Sequence, residues 1–304
     1  MEIITKVIDD FIDIPHNHFV FDIETTGLSH KYNKVILIGI MYNSNNQTII
    51  KQFFASRESE EKEILVEFIS SISKFSNHIS FNGISFDIPF LNARFKKYDI
   101  NFSLDKINDY DILRFVKHYK DVLSLENYKL KTIEKLLGIK RLDTISGKES
   151  IDLYKEFIQT NHKDIKSKIL LHNYEDIYYL GKLLKIKELL EEKLDLLSIP
   201  MAKNVIKILP SSYKIISNTL ITNYSLFSGE LDLLELFSDD YYININKDSI
   251  CVKLSIRTGF DNNDNKVSFY NLNSIIPLKF NNDYLEENIY TLCNYILKKE
   301  LSIL

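Results

Sequence analysis

Apolar and β-branched residues fall into short runs near the N-terminus, and the spacing of the runs changes along the chain. Residues 18–23 (HFVFDI) predict a strand, and residues 34–42 (KVILIGIMY) a second one. The second is apolar at nearly every position, which suits a central strand covered on both faces. Residues 47–54 predict a third, reached through Asn43-Ser44-Asn45-Asn46, a turn composition that implies a hairpin. Residues 58–74 then take helical period, with acids in the first turn where the helix dipole favours them. A short apolar run at 78–81, a helix over 86–98 and a strand running into a helix over 106–113 complete the pattern. Strands joined by short turns, then strands separated by helices, predict a mixed sheet covered by helices.

From residue 128 to about 197 the pattern is nearly all helical, with Gly138 closing one helix and Gly147 in the turn before the next. The character changes near Ile199-Pro200. Beyond it, residues 207–228 and 240–257 are rich in Ile, Tyr, Thr and Val, and a helix over 284–301 closes the chain. The expected organisation is one domain over 1–198 and a smaller β-rich α+β domain over 199–304.

Composition narrows the class. With 8 Gly, 5 Pro and 45% hydrophobic residues in 304, the chain is neither a linker nor a disordered segment, and its length supports a full core without disulfides. Lys and Arg number 38 against 42 Asp and Glu, so tight retention of nucleic acid by a basic excess is not indicated. A transient encounter remains allowed, especially where bound cations add positive charge. Cys251 and Cys293 form no CxxC pair, which argues against a thiolate zinc site and fits a reducing cytoplasm. No stretch approaches the ~20 apolar residues that span a bilayer, and the acidic N-terminus does not read as a secretory signal. The expected location is cytoplasmic, with no membrane partner.

Candidate chemistry starts at Asp22 and Glu24. Side chains alternate along a strand, so both project from one face about 7 Å apart, at ~3.3 Å per residue. Two carboxylates on a buried face repel each other and lose hydration unless a cation lies between them. Hard cations such as Mg²⁺ and Mn²⁺ prefer such oxygen ligands. A solvated strand end would carry the same pair without a metal. Asp87, in Phe81-Asn82-Gly83-Ile84-Ser85-Phe86-Asp87, stands at a helix start, where helix capping is the simpler role. His172 and Asp176 are four apart and share one helix face, which on a surface helix is only a weak electrostatic contact. They gain meaning only if that face meets Asp22 and Glu24.

Together these three segments resemble the DEDD (DnaQ-like) exonucleases. The motifs are Asp22-Ile23-Glu24-Thr25-Thr26-Gly27-Leu28, Asn82 to Phe86-Asp87, and Asp176 late in a helix. The resemblance covers roughly residues 15–190 and is closer still to the YprB-like branch. That branch shows a helical element here at Tyr128 to Arg141, then Ser146-Gly147, then His172-Asn173 with Asp176. The resemblance implies a ribonuclease H-like fold with a mixed five-stranded sheet. It implies that Asp22, Glu24, Asp87 and Asp176 hold two Mg²⁺ or Mn²⁺ ions. Thr25, Thr26, Gly27, Leu28, Asn82 and Phe86 would then contact the terminal nucleotide, Leu28 as a wedge against its base unless it packs in the core. His172 departs from the pattern, since a histidine occupies the spacing at which one subclass has tyrosine. It would still orient or deprotonate a water, or, held in its charged form by neighbouring anions, contact a phosphate.

Asp111 matches another position of that branch, or is a strand-end carboxylate without a metal. Lys129, Lys131, Lys135, Lys140 and Arg141 read as a path for a nucleic-acid backbone or, more simply, as a solvated face. The expected activity is metal-dependent phosphodiester hydrolysis, and the resemblance implies that it runs 3′→5′ on single-stranded DNA or RNA ends. A binding scaffold with the same fold and little catalysis, or a structure-specific endonuclease, are the alternatives. The C-terminal part is expected to position substrate or a protein partner.

Overall fold

The computed structural model describes residues 1–142 and 145–303. Contacts divide the chain into two compact units, Met1–Leu190 and Glu191–Leu304.

The first unit is built on a mixed sheet with strand order β1-β4-β3-β2-β5-β6. These are β1 (Glu2–Ile8), β2 (His18–Thr25), β3 (Val35–Ser44), β4 (Gln47–Phe54), β5 (Asn77–Ser80) and β6 (Asp109–Asp111). The sheet thus has six strands, one more than the five expected. The extra strand is β1, antiparallel to β4 at the sheet edge. Its residues are mostly exposed, so no apolar alternation marks it in the sequence.

Helices α1 (Glu61–Ile72) and α2 (Asp87–Lys97) cover one face, where Phe19, Phe21, Ile38 and Ile40 meet Ile64, Phe68, Leu91 and Phe95. Three further short helices follow, α3 (Ile112–His118), α4 (Lys120–Leu123) and α5 (Leu130–Leu136). The long helices α6 (Gly147–Thr160) and α7 (Lys163–Lys182) then cover the other face, where Leu37 and Phe54 pack on Tyr154, Phe157 and Ile169. Burial on both faces explains the unbroken apolar run of β3. Gly147 opens α6 and is not in a preceding turn. A buried ion pair, Arg94 with Glu61, ties α2 to α1, and Glu61 Oε1 also accepts the backbone N–H of Val35 on β3.

Two features of this sheet place the chemistry. Strands β2, β5 and β6 run parallel, so their C-terminal ends emerge at one edge. Gly39 on β3 is paired with Asp22 on β2, and a Cβ there would collide with Ile177 Cδ1 and Asn173 Oδ1. Gly181 makes the matching close approach from α7, toward Met41. Helix α7 therefore crosses close over the face that carries Asp22 and Glu24.

The second unit begins at Glu191, within the last turn of helix α8 (Ile186–Lys193). That unit has a six-stranded antiparallel sheet of order β10-β11-β12-β9-β8-β7 and a separate four-stranded one, β13-β14-β15-β16. In chain order the strands are β7 (Leu197–Pro200), β8 (Val205–Ile216), β9 (Thr219–Ser228), β10 (Leu234–Phe237), β11 (Tyr241–Ile245) and β12 (Ser249–Ser255). They continue with β13 (Arg257–Phe260), β14 (Lys266–Asn271), β15 (Ile275–Phe280) and β16 (Asp283–Tyr284). Helix α9 (Glu286–Leu301) buries Ile289, Leu292, Cys293 and Leu297 in a core shared with Ile206, Ile208 and Val252. Tyr270 is buried, and the Tyr242 hydroxyl donates to Glu235 Oε1 at 2.9 Å. No described helix is long and apolar enough to cross a membrane.

Candidate active site

Strand β2 presents Phe21 and Ile23 to the α1–α2 core and Asp22 and Glu24 to the opposite face, as alternation requires. Beside Glu24 lie His172 and Asp176 of α7. His172 Nε2 is 3.5 Å from Glu24 Oε1 and 3.7 Å from Asp176 Oδ2, and a ligand atom from each of the three lies within 4.8 Å of the others. The weak surface contact considered from sequence is thus excluded, because His172 is buried.

Asp87 reaches the same place from the helix after β5. It is the first residue of α2, and its Oδ1 accepts the N–H of Ile23 on β2 at 3.3 Å. The carboxylate turns toward β2 and also accepts from its own backbone N–H at the start of α2, so it serves the helix end and the cluster together. The approach to α2 is fixed by Asn82, in the left-handed region at φ 66°, whose N–H donates to Asp111 Oδ1 at 2.9 Å. Asp111 also accepts from Leu113 and Arg114 N–H, which makes it the cap of α3. Asp109, unremarked in the sequence, is bonded to His78 and Ser80 at 2.6 Å each, beneath the loop.

A cavity of about 650 Å³ opens over this cluster. Asp22, Glu24, Asp87, His172 and Asp176 all line it, as do Thr25, Leu28, Asn82 and Phe86. Thr26 and Gly27 are not among its lining residues. Thr26 exchanges hydrogen bonds with Lys34, and Gly27 packs against the Asn33 side chain. Leu28 is 81% exposed, so core packing does not account for it. From the lysine group, Lys129 and Lys131 line the cavity together with Lys148, whereas Lys135 and Lys140 do not.

Arg141 is not on a solvated face. Its guanidinium is nearly buried between Glu134 and Asp176, bonding both. The motif spacing carried no sign of this pairing. Asn173, named in the motif without a role, and Gln52, which no motif marked, complete the site. Asn173 donates to Asp22 Oδ2 at 3.0 Å, and Gln52 on β4 donates to Asn173 Oδ1 at 2.9 Å.

The electrostatics follow from this crowding. Burial, then the charges of Asp176, Asp87 and Glu24, push Asp22 well above the usual carboxylate range, against the hydrogen bond from Asn173. Burial pushes Glu24 up to about 7 despite His172 beside it. Asp87 also rises to about 7, through burial and the nearby Asp109 and Asp111, against hydrogen bonds from its own backbone N–H and that of Ile23. Carboxylates arranged at such cost form a hard oxygen donor set suited to divalent cations.

A family model of the RNase H superfamily matches residues 19–187. The chain is 30% identical over 172 residues to a Bacillus subtilis protein named uncharacterized protein YprB, covering 54% of this chain and 40% of that one. It is 31% identical over 123 residues to the PolC-type DNA polymerase III of Mycoplasma genitalium, covering 30% of this chain and 8% of the polymerase. The chain therefore spans less than half the length of these curated relatives. Among solved structures, E. coli exonuclease I in complex with a dT13 oligonucleotide aligns with a TM-score of 0.34 at 13% identity, covering 67% of this chain and 54% of that one.

Proposed function

The chain belongs to the RNase H superfamily, and from that premise we propose that it is a metal-dependent nuclease acting as a 3′→5′ exonuclease on single-stranded DNA or RNA ends. One observation carries the reading: four carboxylates and an imidazole from three distant segments face a single cavity, with three of the carboxylates held above their ordinary range. Asp22, Glu24, Asp87 and Asp176 would hold two Mg²⁺ or Mn²⁺ ions, whose chemistry is to activate water and offset charge on the leaving 3′-oxygen.

The remaining roles fall to the chain's own side chains. His172 Nε2, between Glu24 and Asp176, orients the attacking water and takes its proton. The water oxygen bonds to phosphorus, the bond from phosphorus to the 3′-oxygen breaks, and a nucleoside 5′-monophosphate leaves. Exposed Leu28, with Phe86, forms an apolar wall for the terminal base, while Asn82 and Thr25 border its sugar. Lys129, Lys131 and Lys148 face the phosphates, so the polyanion lies between a carboxylate wall and a lysine wall.

The test is incubation with end-labelled single- and double-stranded DNA and RNA, with Mn²⁺ or Mg²⁺ and with chelator. Stepwise release of mononucleotides from 3′ ends, abolished by chelator, is expected. Internal fragments would replace the exonuclease reading with an endonuclease. No cleavage of any substrate with either ion would overturn the reading.

A further inference from the structure

Arg141 lies in the segment between α5 and α6, and every polar arm of its guanidinium that points inward is engaged. Nε donates to Glu134 Oε2 at 2.7 Å, Nη2 donates to Glu134 Oε1, and Nη1 donates to Asp176 Oδ1. The guanidinium also lies 5.5 Å from the centroid of the Tyr179 ring. Its chain neighbours are tied to α7 as well: Leu142 N–H donates to Glu175 Oε1 at 3.2 Å, and Tyr179 OH donates to Lys140 O at 3.0 Å.

The two oxygens of Asp176 thus face different partners. Oδ1 meets Arg141, and Oδ2 is the oxygen near His172 Nε2, on the side of Glu24. We infer that Arg141 is a positioning residue that occupies one oxygen of Asp176 and so presents the other to the cavity as a single-oxygen ligand. The inference rests on the metal-dependent reading above. Glu134 is what makes the device workable. It is 2% exposed and takes two arms of the fork, so the pair is locally neutral and adds no net positive charge beside a cation site. A lysine has no planar fork and cannot serve Glu134 and Asp176 together.

The rival explanation is that Arg141 merely fastens α5 to α7. The two differ in what removal of the whole pair does. Replacing a buried ion pair by apolar residues is often neutral for stability, whereas loss of a group that orients a metal ligand costs about 10- to 100-fold in metal affinity. The experiment is titration of the full-length protein with Mn²⁺, read calorimetrically or from the spectrum of free Mn²⁺, for wild type and for Arg141→Met/Glu134→Met. The double variant conserves net charge. It is expected to bind Mn²⁺ about 10- to 100-fold more weakly, with a metal-free melting temperature close to wild type. Unchanged affinity in the folded double variant, with wild type binding, would overturn the role of Arg141 and leave the nuclease reading standing. Failure of wild type itself to bind Mn²⁺ would remove that reading and this inference with it. Should the double variant lose its helical circular dichroism, Arg141→Lys decides by the same measure, and wild-type affinity there would overturn the inference.

Discussion

Asn173 donates its side-chain N–H to Asp22 Oδ2 at 3.0 Å, and with the other end of the same amide it accepts from Gln52. Asp22, Gly39 and Gln52 lie side by side on β2, β3 and β4. Asn173 fits above them because the middle position has no side chain. One amide thereby fixes the orientation of a carboxylate that burial and like charge disfavour.

Asn173→Ala should reduce hydrolysis about 10- to 100-fold, the usual cost of losing a group that orients a ligand. It should also lower stability by about 1–3 kcal/mol, since a buried hydrogen bond to a charged group is lost. Steady-state kinetics and denaturant unfolding check both, and full activity would refute the orienting role.

Gly39→Ala tests the same arrangement from the sheet. The added methyl collides with the Ile177 and Asn173 side chains, so those side chains or α7 itself must move, at a cost of about 1–3 kcal/mol. Because Asn173 orients Asp22 and α7 carries His172 and Asp176, activity should fall more than stability alone explains. A variant as stable and active as wild type would show that the close approach is dispensable.

The carboxylate cluster predicts an unusual pH dependence. Glu24 and Asp87 each titrate at about 7 in the folded chain, and Asp22 well above its ordinary value. These groups bind more protons folded than unfolded, so their stability contribution is full below the unfolded carboxylate pKa and is lost as pH rises toward the folded values. The melting temperature of chelator-treated protein should therefore fall between about pH 5 and 8. Mn²⁺ should flatten the decline by binding the ionised form, and Asp22→Asn should reduce it while abolishing hydrolysis. A melting temperature that rises across this interval without metal would contradict the assignment.

His172→Ala should slow turnover more than His172→Tyr. A tyrosine at this position can orient a water, although its pKa near 10 makes it a poor base. Single-turnover rates separate the two variants from effects on binding. Silence of both would reduce His172 to a packing residue.

All residues lining the cavity belong to Met1–Leu190. A chain ending at Lys193, the last residue of α8, should keep metal-dependent cleavage of short single strands with altered affinity or substrate choice. Complete loss in a truncation that retains its circular dichroism would assign the C-terminal unit a part in the chemistry.

What the sequence determined by itself is what local period encodes. Alternation placed Asp22 and Glu24 on one face of a strand, unbroken apolarity marked β3 as central, and the spacing of four put His172 with Asp176. Tertiary structure decided everything that depends on two distant segments meeting. It brought the carboxylate of Asp87 to Ile23 on β2, and it made Arg141 the partner of Asp176 instead of a solvated cation. It also recruited Gln52, and it added β1 at the edge, where exposed residues leave no pattern to read. The reason is that periodicity records which face of an element is buried, whereas partners across the core are set by register and by the space a neighbour leaves. The space above Gly39 is filled by Asn173 and Ile177 only once α7 lies on the sheet.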